Sequence, residues 1–128
     1  MAVATKAATT LVTAQTLTVG TPIRATIQLA SQLGAFLTFK ITNGATGPTA
    51  AATAKVMVAH NASLPAAAAE GVDWKTVYVI DGSSTANAQT PGSWNVPMGV
   101  ANLQIEFANN TVQNCTVESY ITVVSSIA

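Results

Sequence analysis

The chain reads as an all-β protein, an antiparallel β-sandwich of jelly-roll type with about eight strands and a short N-terminal arm. Three observations carry this. Segments with period-2 hydrophobic alternation recur along its length, no stretch keeps the 3.6-residue period of a long amphipathic helix, and turn residues punctuate the chain every 8–12 residues or so. At 128 residues the length fits one domain.

The first nine residues, MAVATKAAT, are small and polar and offer little to pack, so residues 1–9 are expected to form an arm and 10–128 a single sandwich domain. Thr9 to Val19 alternates around Leu11, Leu17 and Val19. After VGTP, Ile23 to Leu29 sets Ile23, Ala25, Ile27 and Leu29 against Arg24, Thr26 and Gln28. Ala35 to Thr42 sets Leu37, Phe39 and Ile41 against Thr38 and Lys40, and NGATGPT then breaks the chain sharply. Ala54 to His60 and Trp74 to Ile80 are rich in Val and aromatics, as strands are. Between them LPAAAAEG, Leu64 to Gly71, favours helix by its alanines but is too short for more than one turn. A polar loop follows Ile80, and Ser93 to Val96 reads as a short edge strand. The stretch ANLQIEFANNTVQNCTVESYITVV reads as a closing hairpin: Leu103, Ile105 and Phe107 oppose Asn102, Gln104 and Glu106, and the second arm continues to Val123.

Composition then limits the partners. Charged residues are 8% of the chain, against about 25% in an ordinary domain, and five basic residues balance five acidic ones. Spread over a surface of roughly 6,000 Å², such charge is sparse. Nucleic acid is not expected as a partner, because Lys6, Arg24, Lys40, Lys55 and Lys75 are scattered singly. No run approaches the roughly 20 apolar residues of a membrane-spanning helix, and MAVATKAATTLV lacks the apolar core of a signal peptide. Two explanations fit the sparse charge: an ordinary domain coated in Ser and Thr, or a surface covered in an assembly. A Thr/Ser/Asn surface loses little side-chain entropy on being ordered, and neutral faces do not repel when copies sit side by side.

Catalytic and metal-binding chemistry has few candidates. His60 is the only histidine and Cys115 the only cysteine, so no histidine metal cluster and no internal disulfide can form. Cys115 falls where a strand would bury it, which makes a thiol inert. Asp73 and Asp81 flank one strand at opposite ends, while Glu106 and Glu118 lie on the two arms of the closing hairpin, where they mark solvent-facing or interface positions. DGSST lacks the repeated acidic ligands of a calcium loop. No catalytic residue, metal or cofactor is expected. Among the aromatics, Trp74, Tyr78, Trp94 and Tyr120 could line a sugar platform, but Trp74 and Tyr78 are placed on one face of one strand, where core packing is the default. Trp94, in PGSWNVPMG, either caps the end of the sandwich or joins an interface. The expected interface residues are Trp94, Pro97, Met98, Glu106 and Glu118.

Two segments carry a resemblance. TVGTPIRATIQLASQLGAFLTFKITNGATGPTAAATAKVMV reads as strands, a tight turn and a small-residue loop, and WNVPMGVANLQIEFANNTVQNCTVESYITVV as a Pro/Gly entry into a polar-turned strand pair. Together they resemble the small β-sandwich accessory proteins of tailed bacteriophage virions, the decoration or cement proteins and the head-neck or tail components. The resemblance implies a non-enzymatic homo-oligomer, commonly a trimer, made in the host cytoplasm and bound in the virion to a capsid or connector protein. It carries over no functional residue, since such proteins share no fixed site. The alternative is a carbohydrate- or receptor-binding β-sandwich module of a phage tail or cell surface.

Overall fold

The computed structural model describes residues 3–127. They form eight strands: β1 (Ala4–Leu17), β2 (Ile23–Gln28), β3 (Gly34–Asn43), β4 (Thr53–Ala59), β5 (Lys75–Asp81), β6 (Gln89–Val96), β7 (Asn102–Ala108) and β8 (Cys115–Ile127). Two four-stranded sheets result, in the orders β1-β8-β3-β6 and β2-β7-β4-β5, with every paired neighbour antiparallel. The pairings β1–β8, β2–β7, β3–β6 and β4–β5 nest inside one another, as in a long hairpin rolled on itself, which is the jelly roll. No helix forms at Leu64 to Gly71.

Alternation determines what lies between the sheets. Leu37, Phe39 and Ile41 of β3 and Val117, Ile121 and Val123 of β8 face Ala54 and Val56 of β4 and Leu103, Ile105 and Phe107 of β7. Phe39 meets Phe107 edge to face across the layers, with ring centroids 6.4 Å apart. Each such side chain contributes about 1.5–3 kcal/mol by leaving water. Cys115 is part of this core, as its place in the pattern requires, and burial pushes its thiol pKa up.

Four sequence expectations are corrected. The closing pair is not a hairpin: β7 and β8 lie in different sheets, and residues 109–114 carry the chain across the end of the sandwich. Alternation specifies which side chains share a face but not which strand supplies the neighbouring hydrogen bonds. The crossing is stabilised by Asn110, buried, whose Nδ2 donates to the carbonyls of Leu17 and Gln113. Secondly, the arm does not end at residue 9. Residues 1 and 2 lie outside the described residues, but Ala4 to Thr9 already pair with β8 within the chain. Thirdly, β6 begins at Gln89 and runs through Pro91 and Gly92, which look like turn residues. Proline is tolerated on this edge strand. At Gly92 a Cβ would lie 2.3 Å from the Phe39 ring, so only glycine leaves the ring room against the backbone. Fourthly, Trp74 and Tyr78 do not share a face. A register shift at Val56/Met57 turns Tyr78 inward opposite Val56, while Trp74 packs with Met57 and Ala59 on the outside of the sheet.

Candidate functional site: the uncovered face of the β1-β8-β3-β6 sheet

The outer faces of the two sheets differ. On β2-β7-β4-β5 the segment between β4 and β5 folds back as a cover. The Gln104 side chain donates to the Ala68 carbonyl (2.7 Å) and accepts from the Ala68 N–H (3.1 Å), and the Trp74 indole donates to the Ala66 carbonyl (2.9 Å). Asn102 donates to the carbonyls of Ala59 and Asn61. Every residue of β7 is therefore buried, on both faces. Glu106 belongs to this closed side: it is 6% exposed and receives the Arg24 Nε–H at 2.6 Å.

Among the described residues no segment covers the other face. Its side chains stand in cross-strand rows from β8 through β3 to β6: Thr122–Phe36–Asn95, Tyr120–Thr38–Ser93, Glu118–Lys40–Pro91 and Thr116–Thr42–Gln89. Ala8 and Thr10 of β1 extend the first two rows at the edge. Phe36 and Tyr120 are 48% and 42% exposed and lie diagonally across one another, an apolar pair among hydroxyls and amides. Beside them Thr38, Lys40, Pro91, Gly92, Ser93, Glu118 and Tyr120 line an open depression of about 500 Å³. Lys40 Nζ sits 3.2 Å from Glu118 Oε1, and the Tyr120 hydroxyl donates to Glu118 Oε2 at 3.1 Å. The neighbouring carboxylate, through that hydrogen bond and its charge, raises the Tyr120 pKa. The one carboxylate and one ammonium in the depression thus neutralise each other, leaving aromatic rings and neutral donors and acceptors to meet a partner.

The five expected interface residues fall in four places. Glu118 stands on the uncovered face. Trp94, on edge strand β6, pairs with Leu37 and turns inward, half-buried against the core. Pro97 and Met98 are exposed in the β6–β7 turn, Met98 by 70%. Glu106 is inside the closed face, and Glu106 and Glu118 lie on opposite sides of the molecule, so they form no carboxylate pair. His60 follows the end of β4 beside the start of β7, whereas Cys115 follows the turn that leaves the other end of β7, so these two are not brought together either. Among the described residues no three His, Cys, Asp or Glu side chains converge on a possible metal site. Phe36 and Lys40 were missed as partners of Tyr120. The available signal was the phase of AFLTFKIT, in which Phe36 falls with Thr38 and Lys40 on the polar side.

No protein-family model matches the sequence, and no curated protein matches it. Solved structures share the fold. The K3 cleaved adhesin domain of Lys-gingipain from Porphyromonas gingivalis W83 aligns with a TM-score of 0.53 at 9% identity, over 77% of this chain and 62% of that one. A chain of infectious bursal disease virus, Gx strain, aligns with a TM-score of 0.51 at 12% identity, over 94% of this chain and 32% of that one. The VP2 subviral particle of the same virus gives 0.50 at 12% identity with the same coverage. The chain thus spans less than two thirds of each of these, and chains of a virus and of its subviral particle are among those that share its sandwich.

Proposed function

We propose that the chain is a non-enzymatic structural subunit of a bacteriophage virion. In this reading it forms a homo-oligomer, a trimer, and attaches through the β1-β8-β3-β6 face to another virion protein such as a capsid or connector protein. Capsid decoration or cementing is the favoured role, ahead of a head-neck or tail accessory. The observation that carries the reading is the asymmetry of the two faces: the chain covers one with its own loop and leaves the other bare, neutral and centred on Phe36 and Tyr120. Exposed aromatics ringed by small polar groups are the composition of an interface centre, and Thr and Ser lose little entropy when ordered there. The sandwich shared with the VP2 subviral particle is compatible with such a role.

The test is to mix the purified chain with phage shells lacking it and measure co-sedimentation. Stoichiometric binding is expected, with loss in the Phe36→Ser/Tyr120→Ser double variant; absence of binding removes the decoration role. A glycan-binding module is the second reading, favoured by Asn95 beside Phe36 and Ser93 in the Tyr120 row. Because Trp94 turns inward, its decisive variant is Tyr120→Ala: glycan-array binding abolished by that change would replace the structural reading.

A further inference from the structure

Among the described residues Val112 is the only β-branched one with positive φ, at 71°. Its neighbour Gln113 donates its N–H to the Thr111 carbonyl at 2.8 Å, closing a three-residue γ-turn of the positive-φ form, which is strained and rare. The surroundings hold that strain in place. Thr111 exchanges backbone hydrogen bonds with Thr49 and Ala50, its Oγ1 accepts from the Ala50 N–H at 2.8 Å, and Asn110 ties the turn to Leu17 and Gln113. Yet Val112 packs against little and is 70% exposed. An asparagine or glycine would adopt this backbone with less strain, so the valine costs stability here while the tied turn presents its side chain to solvent.

At the opposite end of the sandwich the two sheets part between β1 and β2. Ala7, Thr9, Ile27, Leu29, Gln32 and Val123 line a cleft of about 270 Å³ there, too small for an ordinary ligand pocket and roomy enough for a branched side chain on a turn. Leu29 is anchored to Ala101 just ahead of β7, whereas Val112 follows the far end of β7, which places the two features about 20 Å or more apart. The Oε1 of Gln32, at the cleft, is buried without a hydrogen-bond partner in the chain.

We propose that Val112 is a knob that seats in the β1/β2 cleft of a second copy of this chain, head to tail. This rests on the homo-oligomeric reading above and names its contact. The electrostatics of the two surfaces match: neither the 109–114 turn nor the cleft lining contains an ionisable side chain, so contact leaves no charge desolvated. Two depressions on the uncovered face hold Lys6, or Lys40 with Glu118, and a neutral one at Val19 and Pro22 lies at the same end as Val112. Because the contact joins two different patches, each added copy offers a new knob and cleft until a ring closes, which accommodates a trimer.

Sedimentation equilibrium of the whole chain and two variants tests this. Val112→Asn relieves the strain, so the dilute protein is expected to melt about 2–5 °C higher. The same variant should self-associate at least about tenfold more weakly. Ala7→Arg, at an exposed cleft position, should weaken association similarly with an unchanged Tm. An equimolar mixture should form a one-to-one pair that grows no further, since one intact knob and one intact cleft remain. Self-association untouched by both variants overturns the contact and leaves the oligomeric reading standing, whereas a wild-type chain monomeric at high concentration overturns both. A lowered Tm for Val112→Asn, an inert Ala7→Arg, or a mixture that fails to pair also overturns it.

Discussion

The two outer faces of the sandwich are made from similar side chains and finished in different ways. β7 carries Asn102, Gln104 and Glu106 outward, and β3 and β8 carry Thr38, Lys40, Glu118 and Thr122 outward. On the first face each named polar side chain bonds to the chain itself: to the loop before β5, to β4 or to Arg24. On the second face the hydroxyls and amides meet solvent, and two aromatic rings stand among them. Closing a face over polar groups is tolerable only where most donors and acceptors find a partner: the 60–74 segment supplies those of Gln104 and one for Asn102, β4 and Arg24 supply others, and Asn102 Oδ1 stays unpaired. A face left open needs no such matching within the chain and is free to match another molecule.

The comparison can be broken from the closed side first. Trp74→Ala removes the largest side chain in the outer cluster with Met57 and Ala59 and strips the indole hydrogen bond to Ala66. A loss of about 3–5 kcal/mol in urea unfolding is expected, with faster proteolysis in the 60–74 segment. A loss below about 1 kcal/mol would mean that the cover is not part of the stable fold.

Glu106→Gln comes next, since it leaves the Arg24 charge against a buried neutral partner. Because the Arg24 side chain is 27% exposed and the Glu106 side chain 7%, water relieves part of the penalty, and about 1–3 kcal/mol is expected. Replacing both by Arg24→Met/Glu106→Leu should recover much of it; failure to do so would show that the pair, rather than the uncompensated charge, stabilises this face.

On the open side the order of effects reverses between stability and binding. Phe36→Ser and Tyr120→Ser are each expected to lower unfolding stability by only about 1 kcal/mol, since about half of each side chain is already in water. Any particle binding should fall by about tenfold or more. Equal losses in both measurements would make these rings ordinary packing.

The smallest effects are in titration. The Tyr120 phenol has its pKa raised by Glu118 above the ordinary value of 10.0, so the contact to Glu118 is fully present below pH 10.0 and is lost as pH rises through the raised value. Ultraviolet titration of Glu118→Gln should return Tyr120 toward 10.0; an unchanged curve would assign the shift elsewhere. The Glu70 carboxylate on the covering loop behaves in the opposite sense. The Thr76 N–H, donated to the carboxylate, and nearby Lys55 and Lys75 lower its pKa below 4.5, so its contribution is present above 4.5 and fades as pH falls through the lowered value.

Particular elements mark how far the residues alone could be read. The alternation of Ile23 to Leu29 and Leu37 to Ile41 specifies strands and their inner faces, because burial on one side of a pleat imposes period 2. The same pattern in Leu103–Phe107 and Val117–Val123 suggested a hairpin, since local sequence does not encode which sheet a strand joins. Glu106 looked like a surface charge because its ion-pair partner, Arg24, is 82 positions away. Gly92 and Pro91 read as a turn until the Phe39 ring was seen to need the space. Phe36 was legible by phase, yet a single aromatic on a polar face acquires meaning only beside Tyr120 on a strand far away in the chain.

By itself the sequence determined an all-β sandwich with few charges, a buried lone cysteine and inner faces set by alternation, because those depend on local periodicity and composition. The tertiary structure decided which strands pair, which outer face the chain covers, and where Val112 is held under strain. Those depend on contacts between residues remote in sequence, whose hydrogen-bond matching and burial exist only once the sheets have closed.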